Sequence, residues 1–374
     1  MLLLATEIWR SHGGVQRYTQ MLATSLSSAE AFTALSLLDS EDDRPSDAVW
    51  NVVCCSGSKR KFCLEALRMA SRSSANTCIV GHVALLPVAW ALKRLKLINH
   101  YVVVLHGLEA WKTLPWLTRI AARRAAIAVA TTAYTVREFC FYNRVERAKC
   151  TVIPLACSFL MSANHPRNLM PELRVLTIGR LATQDLYKGI DTVLHAIFRS
   201  RAQGLNVTLD LVGDGHDRKR LEDLARSLGL QGAVRFRGSV SDAELECSLR
   251  ESHVFAMPSK KEGFGIVYLE AMAAGLPCIG ANHGGTPEVI EHGESGFLIE
   301  YGDVAQLVFC LRALQASPAL YAAMSNAALR RATEILTLDR MTQSWHNLLR
   351  DLGPPPLEDQ VVGIEHQPTN VSGI

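Results

Sequence analysis

Short apolar runs rich in β-branched residues alternate with longer stretches of helical period along most of the chain, and that alternation leaves few folds open. Neighbouring parallel strands need a crossover of a dozen or more residues, usually a helix, and such helices cover both faces of the sheet. In the first half the candidate strands are Leu2 to Thr6, Cys78 to Val80, Tyr101 to Leu105, Ile127 to Thr131 and Thr151 to Ile153. In the second they are Arg174 to Ile178, Val207 to Val212, Val234 to Phe236, His253 to Met257, Cys278 to Gly280 and Phe297 to Ile299. The pattern predicts an α/β protein of two Rossmann-like domains.

Length supports two domains, because 374 residues exceed the roughly 250 to 300 that one hydrophobic core organises. Residues 1–160 read as the N-terminal domain and 161–173 as a linker, since Asn164, Pro166, Asn168 and Pro171 fall in a run without apolar period. Residues 174–340 read as the C-terminal domain and 341–352 as a C-terminal helix. The polar tail 353–374, opened by Gly353 and three prolines, reads as disordered.

A net charge of +3 excludes a dedicated nucleic-acid binder. The sum conceals a split, however: residues 1–165 carry 19 Lys and Arg against 11 Asp and Glu, and the remainder 20 against 25. The basic N-terminal domain therefore leans towards an anionic partner, with scattered solvated charge as the alternative. Ten cysteines without a CxxC pair argue against structural zinc and a disulfide framework. Met1 to Ile8 lacks the basic start and longer apolar core of a secretory signal and reads as a first strand. The uncharged stretch Ser73 to Leu92 is too short in its apolar part to span a bilayer, so a cytoplasmic chain, in peripheral contact with a membrane face or not, is expected.

In open α/β sheets ligands bind beyond the carboxyl ends of the strands. Gly13-Gly14 precedes the helical run Val15 to Leu26, offering either a phosphate site at a helix amino end or a plain tight turn. Gly213-Asp214-Gly215 opens like a dinucleotide fingerprint, but Arg218 occupies the third glycine position and demotes nicotinamide binding. Arg180 and Lys188 flank a loop ending at the helix Ile190 to Phe198, where they either converge on two phosphates or remain ordinary surface charges. Glu270 falls inside the apolar helix Ile266 to Ala274 and needs a partner: ribose hydroxyls, or a nearby Arg or Lys. Gly263, Phe264 and Gly265 offer main-chain N–H groups beside Glu262.

These residues resemble the retaining glycosyltransferases of family 4, which have the GT-B fold of two Rossmann-like domains facing across a cleft. The family's two glutamates with seven residues between them match Glu262 and Glu270, and the order of Gly13-Gly14, His106-Gly107, Ile153-Pro154, Gly179-Arg180, Lys188-Gly189, Gly213-Asp214-Gly215 and Gly284-Gly285-Thr286-Pro287-Glu288 matches as well. The resemblance covers roughly residues 8 to 345. It implies that Arg180 and Lys188 hold a donor diphosphate, that Glu270 holds the ribose, that Glu262 binds the transferred sugar, and that His106 sits beside that sugar; a satisfied core histidine is the other reading of His106. Gly13, Gly14, Gly213, Gly263, Phe264 and Gly265 complete the implied donor site. The implied partners are a nucleotide-sugar donor and a carbohydrate or lipid-linked acceptor, with no cofactor. No Asp-x-Asp motif is present, so no metal is expected.

The chain departs from the family in a compressed, irregular segment, Glu41 to Ser58, and in Gln184 to Tyr187 of the cationic loop. Basic amphipathic stretches, Trp111 to Arg124 and Trp90 to Lys96, suit an anionic bilayer or are ordinary helices with one wet face. Two rival functions remain at this level: a sugar-nucleotide epimerase of similar fold, and a non-catalytic nucleotide-sugar binder.

Overall fold

The computed structural model describes residues 1–11, 13–27, 32–46, 48, 50–72, 77–157 and 172–353. Most of the linker expected at 161–173 and nearly all of the expected tail lie outside the described residues. Two parallel sheets form the framework. The first contains β1 (Leu2–Ala5), β2 (Thr33–Ser36), β3 (Asn51–Cys54), β4 (Thr77–Val80), β5 (His100–Leu105), β6 (Ile127–Ala130) and β7 (Cys150–Val152), in the order β3-β2-β1-β4-β5-β6-β7. The second contains β8 (Leu173–Ile178), β9 (Val207–Val212), β10 (Val234–Gly238), β11 (Val254–Met257), β12 (Cys278–Ala281) and β13 (Gly296–Ile299), in the order β10-β9-β8-β11-β12-β13. Both are doubly wound: the order reverses beside β1 in one and β8 in the other, which puts a ligand crevice at the carboxyl ends of those strands.

The central strands are apolar on both faces because helices cover both. Leu2, Leu3 and Leu4 of β1 are buried, as are Val102 to Leu105 of β5 and Val254 to Met257 of β11. Two strands depart from the sequence reading. β2 and β3 pair in parallel from Thr33 with Asn51 to Ser36 with Cys54, so the segment expected to be irregular from Glu41 contains a 3-10 turn, Glu41–Asp43, and the edge strand of the sheet. Beyond β13 the chain is helical, through Val304–Ala316, Pro318–Arg330, a π turn at Arg331–Ile335, and Leu338–Asp351, the last of which is the C-terminal helix expected at 341–352. No single helix among the described residues is long and apolar enough to cross a membrane.

The last helix returns to the first domain. Leu338–Asp351 packs on Gly14–Ser27, where Thr342 Oγ1 lies 2.8 Å from Ser25 Oγ and His346 Nε2 lies 3.0 Å from the Ser25 carbonyl. Trp345 is wholly buried beside Tyr18. The chain thus crosses between domains twice. The two crossings touch, because the Cys157 N–H donates to the Leu336 carbonyl at 2.8 Å and Cys157 bridges Thr337 in parallel.

Candidate active site in the interdomain cleft

β1 ends at Ala5, and residues 6–11 turn away from the sheet ahead of the helix Gly14–Ser27. Buried Asp39, just beyond β2, holds that turn. Its carboxylate accepts from the N–H groups of Ile8, Trp9 and Arg10 at 2.6, 3.1 and 2.8 Å, and from the Ser36 hydroxyl. Charge-assisted bonds of this number fix a loop firmly, so the approach to Gly13-Gly14 is set by a residue that sequence reasoning missed with its strand. Gly14 faces the other domain: a Cβ placed on it would lie 3.9 Å from Ile266 Cγ2, at the start of the helix Ile266–Ala273. Two helix amino ends, one from each domain, therefore converge.

Between those ends the turn Glu262 to Gly265 meets the loop after β5. A Cβ on Gly107, whose φ is +140°, would sit 2.7 Å from Gly263 Cα, and one on Gly263 would sit 2.1 Å from the His106 carbonyl oxygen. Only glycine at both positions allows main chain to lie on main chain here. The loop is tied by Glu109, which accepts from the N–H of His106 at 2.6 Å and of Gly107 at 3.3 Å. His106 Nε2 lies 2.7 Å from the Gly81 carbonyl, which can only accept, so Nε2 bears a proton and donates it there. The ring stacks at 6.5 Å on His82 and meets Tyr18 edge-on at 5.1 Å. Part of the core-histidine reading therefore holds: one nitrogen is satisfied internally.

Glu262 is half-buried, and burial pushes its carboxyl above the ordinary range; the Lys188 ammonium and the Gly263 N–H oppose that rise, while Asp185 adds to it. Lys188 itself lies along Gly179, its Nζ 3.0 Å from where a Cβ there would be. Arg180 differs from the simple expectation. Its Nε donates to Asp185 at 2.6 Å, and Asp185, in the stretch that departs from the family, is held below the usual carboxylate range by Arg180, Tyr187 and Lys188 against its burial. The Arg180 side chain nevertheless stays 64% exposed. Gly213 packs under this loop: at φ +131° a Cβ would lie 2.0 Å from the Gly179 carbonyl oxygen, so its role is close packing of main chain.

Glu270 is 3% exposed, and its partner is Arg17, from the helix Gly14–Ser27 of the opposite domain. Arg17 also lies 3.6 Å from Asp242. The sequence reading left ribose and a nearby cation open for Glu270; the cation is present, but comes from the other domain. Phe264 is buried in the core, so only its main chain faces the cleft. Among the described residues no group of three or more His, Cys, Asp or Glu is gathered as a metal site.

Residues 164–331 match the model of a family described as glycosyl transferases group 1. An uncharacterized glycosyltransferase of Haemophilus influenzae is 29% identical over 199 residues, covering 51% of this chain and 55% of that one. A glycogen synthase of Mycobacterium tuberculosis is 34% identical over 178 residues, covering 48% and 42% respectively. The chain thus spans about half the length of the curated relatives it matches. Among solved structures, Anabaena HepE in complex with UDP superposes with a TM-score of 0.78 at 20% identity, over 94% of this chain and 99% of that one. WaaG, a glycosyltransferase involved in lipopolysaccharide biosynthesis, superposes at 0.67 and 18% identity over 93% and 99%. The two facing Rossmann-like domains are the GT-B fold of these neighbours.

Proposed function

We propose that this chain is a retaining glycosyltransferase that moves a sugar from a nucleoside diphosphate sugar to an acceptor hydroxyl, in polysaccharide or glycolipid assembly. The observation that carries the reading is the convergence of two helix amino ends on the Glu262 to Gly265 turn, with Arg180 and Lys188 on the same rim. Free N–H groups and helix dipoles favour a diphosphate there, and the two cations add charge-assisted contacts. Glu262 accepts hydrogen bonds from the transferred sugar, and Nδ1 of a neutral His106 ring offers a second acceptor. Arg17 meets Oε1 of Glu270, leaving Oε2 for the ribose hydroxyls.

In the reaction the acceptor oxygen bonds to the anomeric carbon as the bond to the diphosphate oxygen breaks on the same face. The departing diphosphate takes the acceptor proton. Arg180, Lys188 and the Gly13-Gly14 amides stabilise the charge growing on the leaving group in a cleft that excludes water. No cofactor or resident metal enters this scheme, because those cations supply the charge.

A thermal-shift screen of UDP-, GDP- and ADP-sugars tests the reading, with UDP-sugars first because HepE was solved with UDP and UDP-glucose. One donor at a hundred times its Kd is expected to stabilise the fold by about 2.7 kcal/mol. Transfer should then persist in EDTA and give a product of unchanged anomeric configuration by NMR. The reading fails if none of the three donors shifts the transition; conversion of the donor without an acceptor would instead favour an epimerase.

The proposal includes peripheral contact with the cytoplasmic face of a membrane. Trp116 and Ile120 stand exposed on the helix Trp116–Arg124, and Phe141 and Tyr142 stand exposed at the end of Ala133–Asn143. Arg123 Nε donates to the Asn143 carbonyl at 2.9 Å, joining the two groups, and exposed Lys112, Arg124 and Arg144 belong to the same two helices and their flanking turns. Aromatic side chains ringed by cations suit an anionic interface. Flotation with phosphatidylserine-containing vesicles at low salt is expected to carry the protein, neutral vesicles much less, and Trp116→Ser with Phe141→Ser to abolish it. Absence of flotation on the anionic vesicles removes this part of the proposal.

A further inference from the structure

Glu288 belongs to the second domain, on the short helical turn Thr286–Val289, but its carboxylate is spent on the first. Its Oε2 accepts from the Ala133 N–H at 2.7 Å and its Oε1 from the Tyr134 N–H at 2.8 Å. Those are amides of the first turn of the helix Ala133–Asn143, whose own cap, Thr132, accepts from Thr135 N–H. A carboxylate there satisfies two otherwise orphaned donors and lies at the positive end of the helix dipole.

The same helix end also grips the sugar-binding turn. Thr132 Oγ1 donates to the Gly263 carbonyl at 3.1 Å, and the Gly285 N–H, three residues before Glu288, donates to the Glu262 carbonyl at 2.7 Å. Trp111 Nε1 donates to Thr135 Oγ1 at 3.2 Å, and its indole is wedged against Gly107 and Gly284. Behind Glu288, Arg331 is anchored on the Glu288 and Val289 carbonyls and on Glu291. The Glu288 main chain is thereby tied to the π turn that precedes the second domain crossing.

We propose that Glu288 is an interdomain positioning residue: by capping Ala133–Asn143 it sets the register in which the Glu262 to Gly265 turn meets His106-Gly107, and hence donor sugar meets acceptor. The inference rests on the glycosyltransferase reading. It differs from a nucleotide-binding role because every contact of the carboxylate is made across the domains, away from Arg180, Lys188 and Glu270.

The test compares wild type, Glu288→Ala, Glu288→Gln and Thr132→Val by steady-state kinetics, nucleotide titration calorimetry and amide hydrogen exchange. In Glu288→Ala, kcat is expected to fall roughly ten- to a hundred-fold, the size of effect that a misplacement of about 1 Å produces. Nucleotide Kd should stay within about two-fold, and the Ala133 and Tyr134 amides should exchange faster. Glu288→Gln, whose amide oxygen still accepts from one N–H, should recover part of kcat and of the protection; it carries the test if Glu288→Ala does not fold. Thr132→Val should lower kcat with the same split. Unchanged kcat with lost protection overturns the proposal, as does a fall in nucleotide affinity that matches the fall in kcat. If wild type transfers to no acceptor, the glycosyltransferase reading fails by itself; the distance between fluorophores on the two domains then decides the inference, with widening in Glu288→Ala supporting it and no change overturning it.

Discussion

Turnover of the Glu262→Ala variant is expected to fall by roughly two to three orders of magnitude, the scale of losing one preorganised electrostatic contact to a reacting group, while nucleoside diphosphate affinity changes little. Calorimetry with the nucleotide and kinetics with the full donor separate the two effects; equal turnover would remove Glu262 from the mechanism. The pH dependence follows from burial, which raises its carboxyl in the free protein. The carboxylate is the form that accepts from sugar hydroxyls, so kcat/KM should decline as pH falls through a value above the ordinary Glu range of about 4.3, and Glu262→Gln should lack that acid limb. Stability runs the other way. A carboxyl with a raised pKa in the fold binds its proton more readily there than in the unfolded chain, so its stabilising contribution is present at low pH and is lost as pH rises through the raised value. At neutral pH Glu262→Gln is therefore expected to melt no lower than wild type, a sign that the site is held at the expense of stability.

The largest effect on stability should come from Trp345→Ala. Trp345 is the largest of the fully buried side chains, and replacing such an aromatic typically costs about 3–5 kcal/mol in transfer and cavity terms. Urea unfolding reads this directly, and Trp345→Phe should lose less. A functional consequence is also expected, because Trp345 lies beside Tyr18 and Tyr18 meets the His106 ring edge-on. Loosening the last helix should therefore raise donor KM through His106 even where the protein remains folded. A stability loss below about 1 kcal/mol would mean that the helix is not integral to the first domain.

Among the described residues, eleven of the thirteen strands are legible as apolar runs, the central ones because helices cover both faces of their sheets. β2 and β3 escape notice for a physical reason: each is four residues long and includes Thr33 and Ser36, or Asn51, so neither gives a continuous apolar run nor a convincing alternation. With β2 went Asp39, the residue that fixes the loop before Gly13-Gly14. In the candidate site, the second domain is legible because Glu262, Glu270, Arg180 and Lys188 are spaced locally around strand ends. Contacts between domains are not. Nothing local in Arg17 indicates that it will meet Glu270, and nothing local in Glu288 indicates that it will cap Ala133–Asn143; both follow from how two separately wound sheets face each other.

The paired crossings at Cys157 and Leu336 carry a practical consequence for dissecting this molecule. Its first folding unit is discontinuous in sequence, so a fragment ending at residue 157 would leave bare the surface that Trp345 and Met341 seal. A faithful half-protein must splice 338–351 back onto the amino-terminal segment. With both backbone connections pinned at one spot, the freedom left to the halves is a swing about that pivot, which fixes where a spectroscopic ruler would register the most movement: at the rim farthest from it.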